Sequence, residues 1–254
     1  MQRIDRLLVS QQLAASRTQA QAWLEAGRVE HCQAGQWLRI DKPSVKLPED
    51  TPLRVSPCAS DAYVSRGALK LAAAMEAAQL DAQGRSALDV GQSTGGFTDW
   101  LLQAGASQVV GLEVGHDQLH PKLRQDPRVH CLEKINARYL QPQQLIEQQL
   151  PSLYDLIVMD VSFISQTLIL PNLPALLKPQ GWLVSLVKPQ FEVGKENLGK
   201  GGIVKNPALY AKVQQDITES LNQLGLTLTH WLDSPITGGD GNREFLLVAQ
   251  KKTT

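Results

Sequence analysis

The chain has 254 residues, 25 basic and 25 acidic side chains, and 43% apolar residues. That mix fits one or two globular domains with room for a sizeable core, and excludes disordered and fibrous classes. No run approaches the roughly 18 apolar residues of a membrane span, no apolar stretch follows Met1-Gln2-Arg3-Ile4-Asp5-Arg6 as a signal peptide requires, and Cys32, Cys58 and Cys131 form no CxxC pair. The expectation is a reduced, cytoplasmic protein without a membrane. Charge is split weakly, net +2 over residues 1–59 and −2 over 60–254, which permits a basic N-terminal module without establishing one. Aromatics at 5% argue against base stacking as the main mode of nucleic-acid binding.

In chain order, Ile4, Leu7 and Leu8 mark a short amphipathic helix. Ser16 is placed to N-cap a second helix, with Ala20, Trp23 and Leu24 as its apolar stripe and Gly27 as its stop. Strand-like pieces at 27–30, 37–40 and 53–55 complete a small α+β module, and Pro57-Cys58-Ala59-Ser60-Asp61 is the seam. The chain thus divides into a domain over 1–59, a linker over 60–64 and a domain over 65–254. In the second domain, Val64, Ala68, Leu71, Ala72 and Met75 predict a helix. Strands at 86–91, 108–113, 129–132, 156–159 and 182–187 then alternate with helices at 95–104, 117–124, 142–150, 165–177 and 207–224. A last pair, 226–232 and 244–249, closes the sheet as a hairpin. The class is α/β, a Rossmann-like parallel sheet with an antiparallel last strand.

The segment Asp89-Val90-Gly91-Gln92-Ser93-Thr94-Gly95-Gly96-Phe97 leads from a strand into a helix. Its glycines let a ligand approach the backbone, and the helix N-terminus offers free N–H groups. Glu113 ends the next strand, where such folds hold a ribose diol. The order G-x-S-x-G-G breaks the dinucleotide fingerprint, which counts against a nicotinamide dehydrogenase. It matches the nucleophile elbow G-x-S-x-G, and Ser93, Asp160 and His230 follow in a possible triad order. That elbow, however, falls on the first strand of the sheet, and no HGGG-type segment exists. An S-adenosylmethionine site accounts for Asp89 as well, because the cofactor's ammonium and sulfonium are cationic. The plain alternative is a tight turn that only packs helix on strand.

Asp160 and Lys188 close two buried strands, Glu244 opens the last one, and Lys70 lies on a helix one turn from Arg66. Cations at i, i+4 repel by about a few tenths of a kcal/mol, which an anionic or polar ligand would relieve. Singly, each of these charges is ordinary. Two lysines and two carboxylates at one sheet edge suit methyl transfer to an alcohol, a poor nucleophile whose developing alkoxide lysines stabilise. Placement of the methyl donor in line supplies much of the rate. No metal is called for, since His116 and His120 stand at i, i+4 without a third ligand and read as helix-surface residues. The glycine- and lysine-rich stretch within 189–203 reads either as a mobile RNA-contacting lid beside Lys188 or as a solvent loop.

Six ordered segments carry a resemblance: Tyr63-Val64-Ser65-Arg66-Gly67-Ala68-Leu69-Lys70-Leu71, the stretch 89–99, Asn136-Ala137-Arg138, Asp160-Val161-Ser162-Phe163-Ile164-Ser165, Leu186-Val187-Lys188-Pro189-Gln190-Phe191, and Ser234-Pro235-Ile236 with Gly241-Asn242-Arg243-Glu244-Phe245. Together they resemble the TlyA family of S4-domain rRNA methyltransferases, whose catalytic domain is similar to the FtsJ/RrmJ ribose 2′-O-methyltransferases. The resemblance implies a class I S-adenosylmethionine-dependent methyltransferase domain preceded by a small S4 RNA-binding domain. It implies a K-D-K-E tetrad at Lys70, Asp160, Lys188 and Glu244, with Lys188 nearest the nucleophile. Cofactor contacts are implied at Asp89, Gly91, Ser93, Thr94, Gly95, Gly96, Phe97 and Glu113, with Asn136 on the adenine side.

The S4-like pattern, Arg3-Ile4-Asp5, Ser16-Arg17-Thr18-Gln19-Ala20 and Gly27-Arg28-Val29, implies RNA contacts at Arg3, Arg17, Gln19 and Arg28, joined by Arg66. Arg17 sits in the first turn of its helix, unfavourable for a cation by about 0.3–1 kcal/mol, and a bound phosphate would offset that. The implied substrate is a cytidine of large-subunit rRNA, in some members also of small-subunit rRNA, as free RNA or a ribosomal subunit, with no obligate protein partner. A non-catalytic RNA-binding assembly factor with a vestigial cofactor site is the alternative. Three positions depart from the family pattern. Glu113 replaces an aspartate, Gln92 stands where a small residue is usual, and the turn within 31–35 lacks the Asn-Gly of S4 hairpins.

Overall fold

The protein is described here by a computed structural model covering residues 1–14, 16–238 and 241–253. Its chain divides into two compact units, Met1–Asp61 and Ala62–Thr254.

In the first unit, β1 (Gln2–Arg3) leads into α1 (Ile4–Ser10) and α2 (Arg17–Glu25), followed by β2 (Val29–Gln33), β3 (Gln36–Ile40), β4 (Lys46–Leu47) and β5 (Leu53–Val55). The apolar stripes of both helices, Ile4, Leu8, Ala20 and Leu24, are buried with Val29 and Ile40 of the sheet. Ser16 caps α2, its side chain accepting the Gln19 N–H. Strand β2 pairs antiparallel with β3 and β5.

The β2–β3 hairpin closes without Asn-Gly. Ala34 and Gly35 take φ values of 49° and 79°, both positive as a two-residue type I′ turn requires. Alanine is strained there, so Ala34→Gly is expected to stabilise the protein by about 1 kcal/mol in chemical denaturation. An unchanged or lowered midpoint would contradict this.

The second unit contains α3 (Gly67–Ala77), β6 (Ser86–Val90), α4 (Gly96–Gln103), β7 (Gln108–Glu113), α5 (Pro121–Arg124), β8 (Val129–Glu133), α6 (Pro142–Glu147), β9 (Tyr154–Met159), β10 (Leu177–Val187), α7 (Leu209–Gln223), β11 (Leu226–Asp233) and β12 (Phe245–Lys251). The sheet order is β11-β12-β10-β9-β6-β7-β8. Strands β10, β9, β6, β7 and β8 run parallel, and β12 lies antiparallel between β10 and β11. The central strands are apolar on both faces because both are covered. Leu88, Val90, Ile157 and Met159 pack with Leu145 of α6 and Ile217 of α7, while Ala87, Leu156 and Val158 pack with Leu71 of α3 and Leu101 of α4. The chain moves outward from β6 to β8 and returns to β9 on the other side of β6, so the crevice opens where β6 and β9 end.

Two expected helices differ. Residues 165–177 form short 3₁₀ turns, Gln166–Leu168, Leu170–Asn172 and Pro174–Leu176, because Pro171 and Pro174 cannot donate to an α-helical ladder. Over 117–124 only α5 remains: Asp117 takes a φ of 55°, and His120 accepts the Lys122 N–H as the cap of α5. Among the described residues, no helix is long and apolar enough to cross a membrane.

Candidate active site

Strand β6 delivers Asp89 into the interior and ends in the turn that starts α4. Gly91 has a φ of 83°, and a Cβ on it would stand 2.4 Å from the backbone oxygen of Asp160. Only glycine therefore lets the turn lie against the end of β9. Gly95, with a φ of 93°, precedes the helix, and a Cβ there would meet Leu119 and Leu123. A Cβ on Gly96 would meet Ser65 Oγ. The first-turn N–H groups of α4 lack intrahelical partners. Gly96 and Phe97 line a cleft of about 340 Å3 with Asp89, Gly91, Gln92, Ser93, Thr94, Arg66, Lys70, Asp160 and Lys188. The Phe97 ring itself is almost fully buried in the core.

Each candidate catalytic lysine has its carboxylate. Lys70 Nζ lies 2.6 Å from Glu244 Oε2, both groups buried. Lys188 Nζ lies 2.5 Å from Asp160 Oδ1 and donates to Ser162 Oγ at 2.8 Å. The expected repulsion between Arg66 and Lys70 is offset by turning Lys70 toward Glu244. Arg66 is exposed and forms no ion pair among the described residues.

Glu113 Oε2 accepts the Ser93 N–H at 2.9 Å and Oε1 the Gly115 N–H at 2.8 Å, fixing the carboxylate at the end of β7. It borders a second cleft of about 550 Å3 walled by Leu112, Ile135, Ala137 and Val161, with Asn136 and Gln118 as polar groups. Asn136 Oδ1 accepts the Arg138 N–H at 3.0 Å. Gly91, Ser93, Asp160 and Ser162 line both clefts, which therefore adjoin along the end of β6 and β9.

These walls fit S-adenosylmethionine. Asp89 Oδ2 accepts the Thr98 hydroxyl at 2.7 Å, but Oδ1 is buried without a hydrogen-bond partner, which a cationic ligand group would supply. The Glu113 oxygens keep lone pairs for a diol, and the apolar slot suits a purine. Among the described residues, no group of three or more His, Cys, Asp or Glu is placed to hold a metal ion.

Burial pushes the Asp89 carboxyl up to about 7; Thr98 pulls it down, and Asp160 and Glu113 push it further up. An unfolded aspartate titrates near about 3.9. Between about pH 4 and 7 the unfolded chain has lost this proton and the folded chain keeps it, so this group's contribution to stability falls as pH rises. Asp89→Asn should therefore flatten that decline in ligand-free calorimetry from pH 5 to 8 and raise Tm at pH 8, while weakening cofactor binding. A parallel loss of Tm at every pH would contradict the assignment.

A third cleft, about 720 Å3, shares Lys188 and Ser162 with the first and includes Glu244. Its wall carries Phe163, 91% exposed with a φ of 64°, whose ring centroid lies 5.3 Å from that of Phe191. Composition gave no sign of this pair; an exposed aromatic beside the candidate Asp160 is a local signal. The glycine- and lysine-rich loop is ordered by a bridge between Leu198 and Val204, and Asn242 donates to Gly202 O and accepts the Val204 N–H.

In the first unit, Arg3 and Arg17 both bind the fully buried Asp5, at 3.0 and 2.9 Å, with Gln21 as a further donor. Burial pushes Asp5 up, but hydrogen bonds from Arg3, Arg17 and Gln21 outweigh it and hold the carboxyl well below the usual range. Arg17, 51% exposed, thus has a protein counter-ion at the helix N-terminus. Gln19 is exposed. Arg28, 13% exposed, is committed to Asp61 and the Ser56 carbonyl and lies over Trp23.

A seven-stranded sheet with one antiparallel strand, a glycine turn after β6 and a carboxylate ending β7 define a class I methyltransferase domain. The family model of the FtsJ-like methyltransferases matches residues 63–251. The 16S/23S rRNA (cytidine-2′-O)-methyltransferase TlyA of Mycobacterium tuberculosis is 41% identical over 99% of this chain and 90% of its own length. The 23S rRNA (cytidine-2′-O)-methyltransferase TlyA of Campylobacter jejuni is 35% identical over 73% of this chain and 70% of its own. A solved Streptococcus thermophilus structure described as a hemolysin is 41% identical, with a TM-score of 0.76 over 99% of this chain and 88% of that one. The chain belongs to the TlyA family of FtsJ-like methyltransferases.

Proposed function

We propose that the chain transfers a methyl group from S-adenosylmethionine to the 2′-hydroxyl of a cytidine in ribosomal RNA. The observation that carries this reading is the meeting of Lys188–Asp160 and Lys70–Glu244 with the glycine turn at one sheet edge. The bound cofactor supplies an electrophilic methyl group on a sulfonium. Asp89 takes its ammonium, Glu113 its ribose hydroxyls, the 91–97 turn its amino-acid end, and the slot beside Asn136 its adenine.

Lys188 favours negative charge on the 2′-oxygen, and the Lys188–Asp160 couple takes up the departing proton. Lys70, fixed by Glu244, adds positive charge to the same cleft. Phe163 gives the target base an apolar face, a left-handed backbone holding its ring out of the core.

The first unit is read as an S4-type module that holds RNA by its backbone, through Arg3, Arg17 and Gln19, with Arg66 acting at the cleft. Arg28 carries the least of this, because its side chain is far less exposed than those of Arg3 and Arg17. An rRNA substrate supports a cytoplasmic site of action.

The test is incorporation of labelled methyl groups into rRNA, or ribosomal subunits, from cells lacking the protein, with the product mapped by mass spectrometry. Expected is 2′-O-methylcytidine. A methylated base overturns the ribose assignment, and RNA binding without incorporation favours an assembly factor.

A further inference from the structure

Gln92 is 3% exposed and its amide occupies space left by the absent side chain of Gly111; a Cβ there would stand 2.0–2.3 Å from Cδ, Oε1 and Nε2 of Gln92. Gly111 is the register partner of Asp89 across β6 and β7, so the amide lies beside that carboxylate on the same face of the sheet. Gln92 Nε2 donates to Thr98 Oγ1 at 2.9 Å, and Thr98 Oγ1 donates to Asp89 Oδ2 at 2.7 Å. A hydroxyl oxygen that accepts from an amide has its own proton free for one acceptor, so this chain of donors commits the Thr98 proton to Asp89. Two acceptors remain, Asp89 Oδ1 and Gln92 Oε1, both buried and without a hydrogen-bond partner. Both residues line the cleft that holds Lys70, Asp160 and Lys188.

We propose that Gln92 and Thr98 are positioning residues for the cofactor's amino-acid end. They commit one oxygen of Asp89 to Thr98 and leave its other oxygen, with the Gln92 amide oxygen, to seat an ammonium group. This rests on the reading that the cleft binds S-adenosylmethionine. An ammonium brings three donors and satisfies both orphaned acceptors, which explains why buried polar atoms are tolerated there. The charged groups facing Asp89 are Asp160 and Glu113 from neighbouring strands, with Lys70, Lys188 and Arg66 around the cleft. Because burial holds the carboxyl near neutrality, seating a cation favours its ionised form and releases a proton to solvent. Thr98, donating to that form, sets the pH at which this occurs.

The experiment is isothermal titration of the full chain with S-adenosylhomocysteine and with methylthioadenosine, which lacks the amino-acid end, at pH 6, 7 and 8. The unmodified chain should bind S-adenosylhomocysteine more tightly as pH rises, releasing protons, and methylthioadenosine with little pH dependence. Gln92→Ala and Thr98→Val should each weaken S-adenosylhomocysteine about tenfold at pH 7 and leave methylthioadenosine unchanged, which also reports an intact fold. Thr98→Val should move the pH inflection upward, and Thr98→Ser should restore it. Adding Gly111→Ala to Gln92→Ala refills the space without the amide and should not restore affinity. Equal weakening of both probes, or wild-type affinity in Gln92→Ala, overturns the positioning role. Failure of the unmodified chain to bind either probe overturns the cofactor reading itself, and this proposal with it.

Discussion

Lys188→Ala should lower methyl transfer by roughly a hundred- to ten-thousand-fold while S-adenosylmethionine still binds. The side chain is held by Asp160 and Ser162 and lines both the cleft that carries the 91–97 turn and the cleft walled by Phe163, where a hydroxyl nucleophile would meet that turn. Its removal leaves the walls of the cofactor slot intact, namely Glu113, Asn136 and Val161. Lys188→Arg should not rescue the rate, because a planar fork does not replace a compact ammonium held at 2.5 Å from one carboxylate oxygen. Methyl incorporation measured beside calorimetric cofactor binding separates the two effects. Wild-type turnover in the alanine variant removes this lysine from the chemistry.

Lys70→Ala should cost about 3 kcal/mol of stability in addition to activity. Glu244, 3% exposed, would be left as a buried charge without its counter-ion, a far larger penalty than the pair's net contribution. The double variant Lys70→Met with Glu244→Leu removes both charges and should recover most of that stability in urea denaturation without recovering turnover. If the double variant is also active, the pair is structural only. If Lys70→Ala unfolds at the wild-type midpoint, the burial argument fails.

The periodicity of Leu88, Val90, Ile157 and Met159 against Ala87, Leu156 and Val158 is plain in the sequence, because strands covered on both faces must be apolar on both. Strand ends then place Asp160, Lys188 and Glu244 at one edge. Apolar spacing alone was misleading at 165–177: Ile169, Leu170, Leu173 and Leu176 are buried as a helix would bury them, yet Pro171 and Pro174 break the ladder. The hairpin at Ala34 shows the converse, strand pairing imposing a conformation that local preference disfavours. Pairings over long separations were invisible. Nothing near residue 5 announces that one buried aspartate gathers Arg3, Arg17 and Gln21, nor does residue 92 reveal that it fills the gap over Gly111.

Strand β12 threads between two strands that precede it in synthesis, and the residue just before it meets a lysine 174 positions upstream. Such non-local closure is slow to form and leaves no useful halfway state. A growing polypeptide that has emerged only as far as residue 233 carries the glycine turn, yet Lys70 has no counter-ion and one wall is missing. On the proposed tetrad, competence for methyl transfer would arrive only with the last hairpin, which brings Glu244 to Lys70.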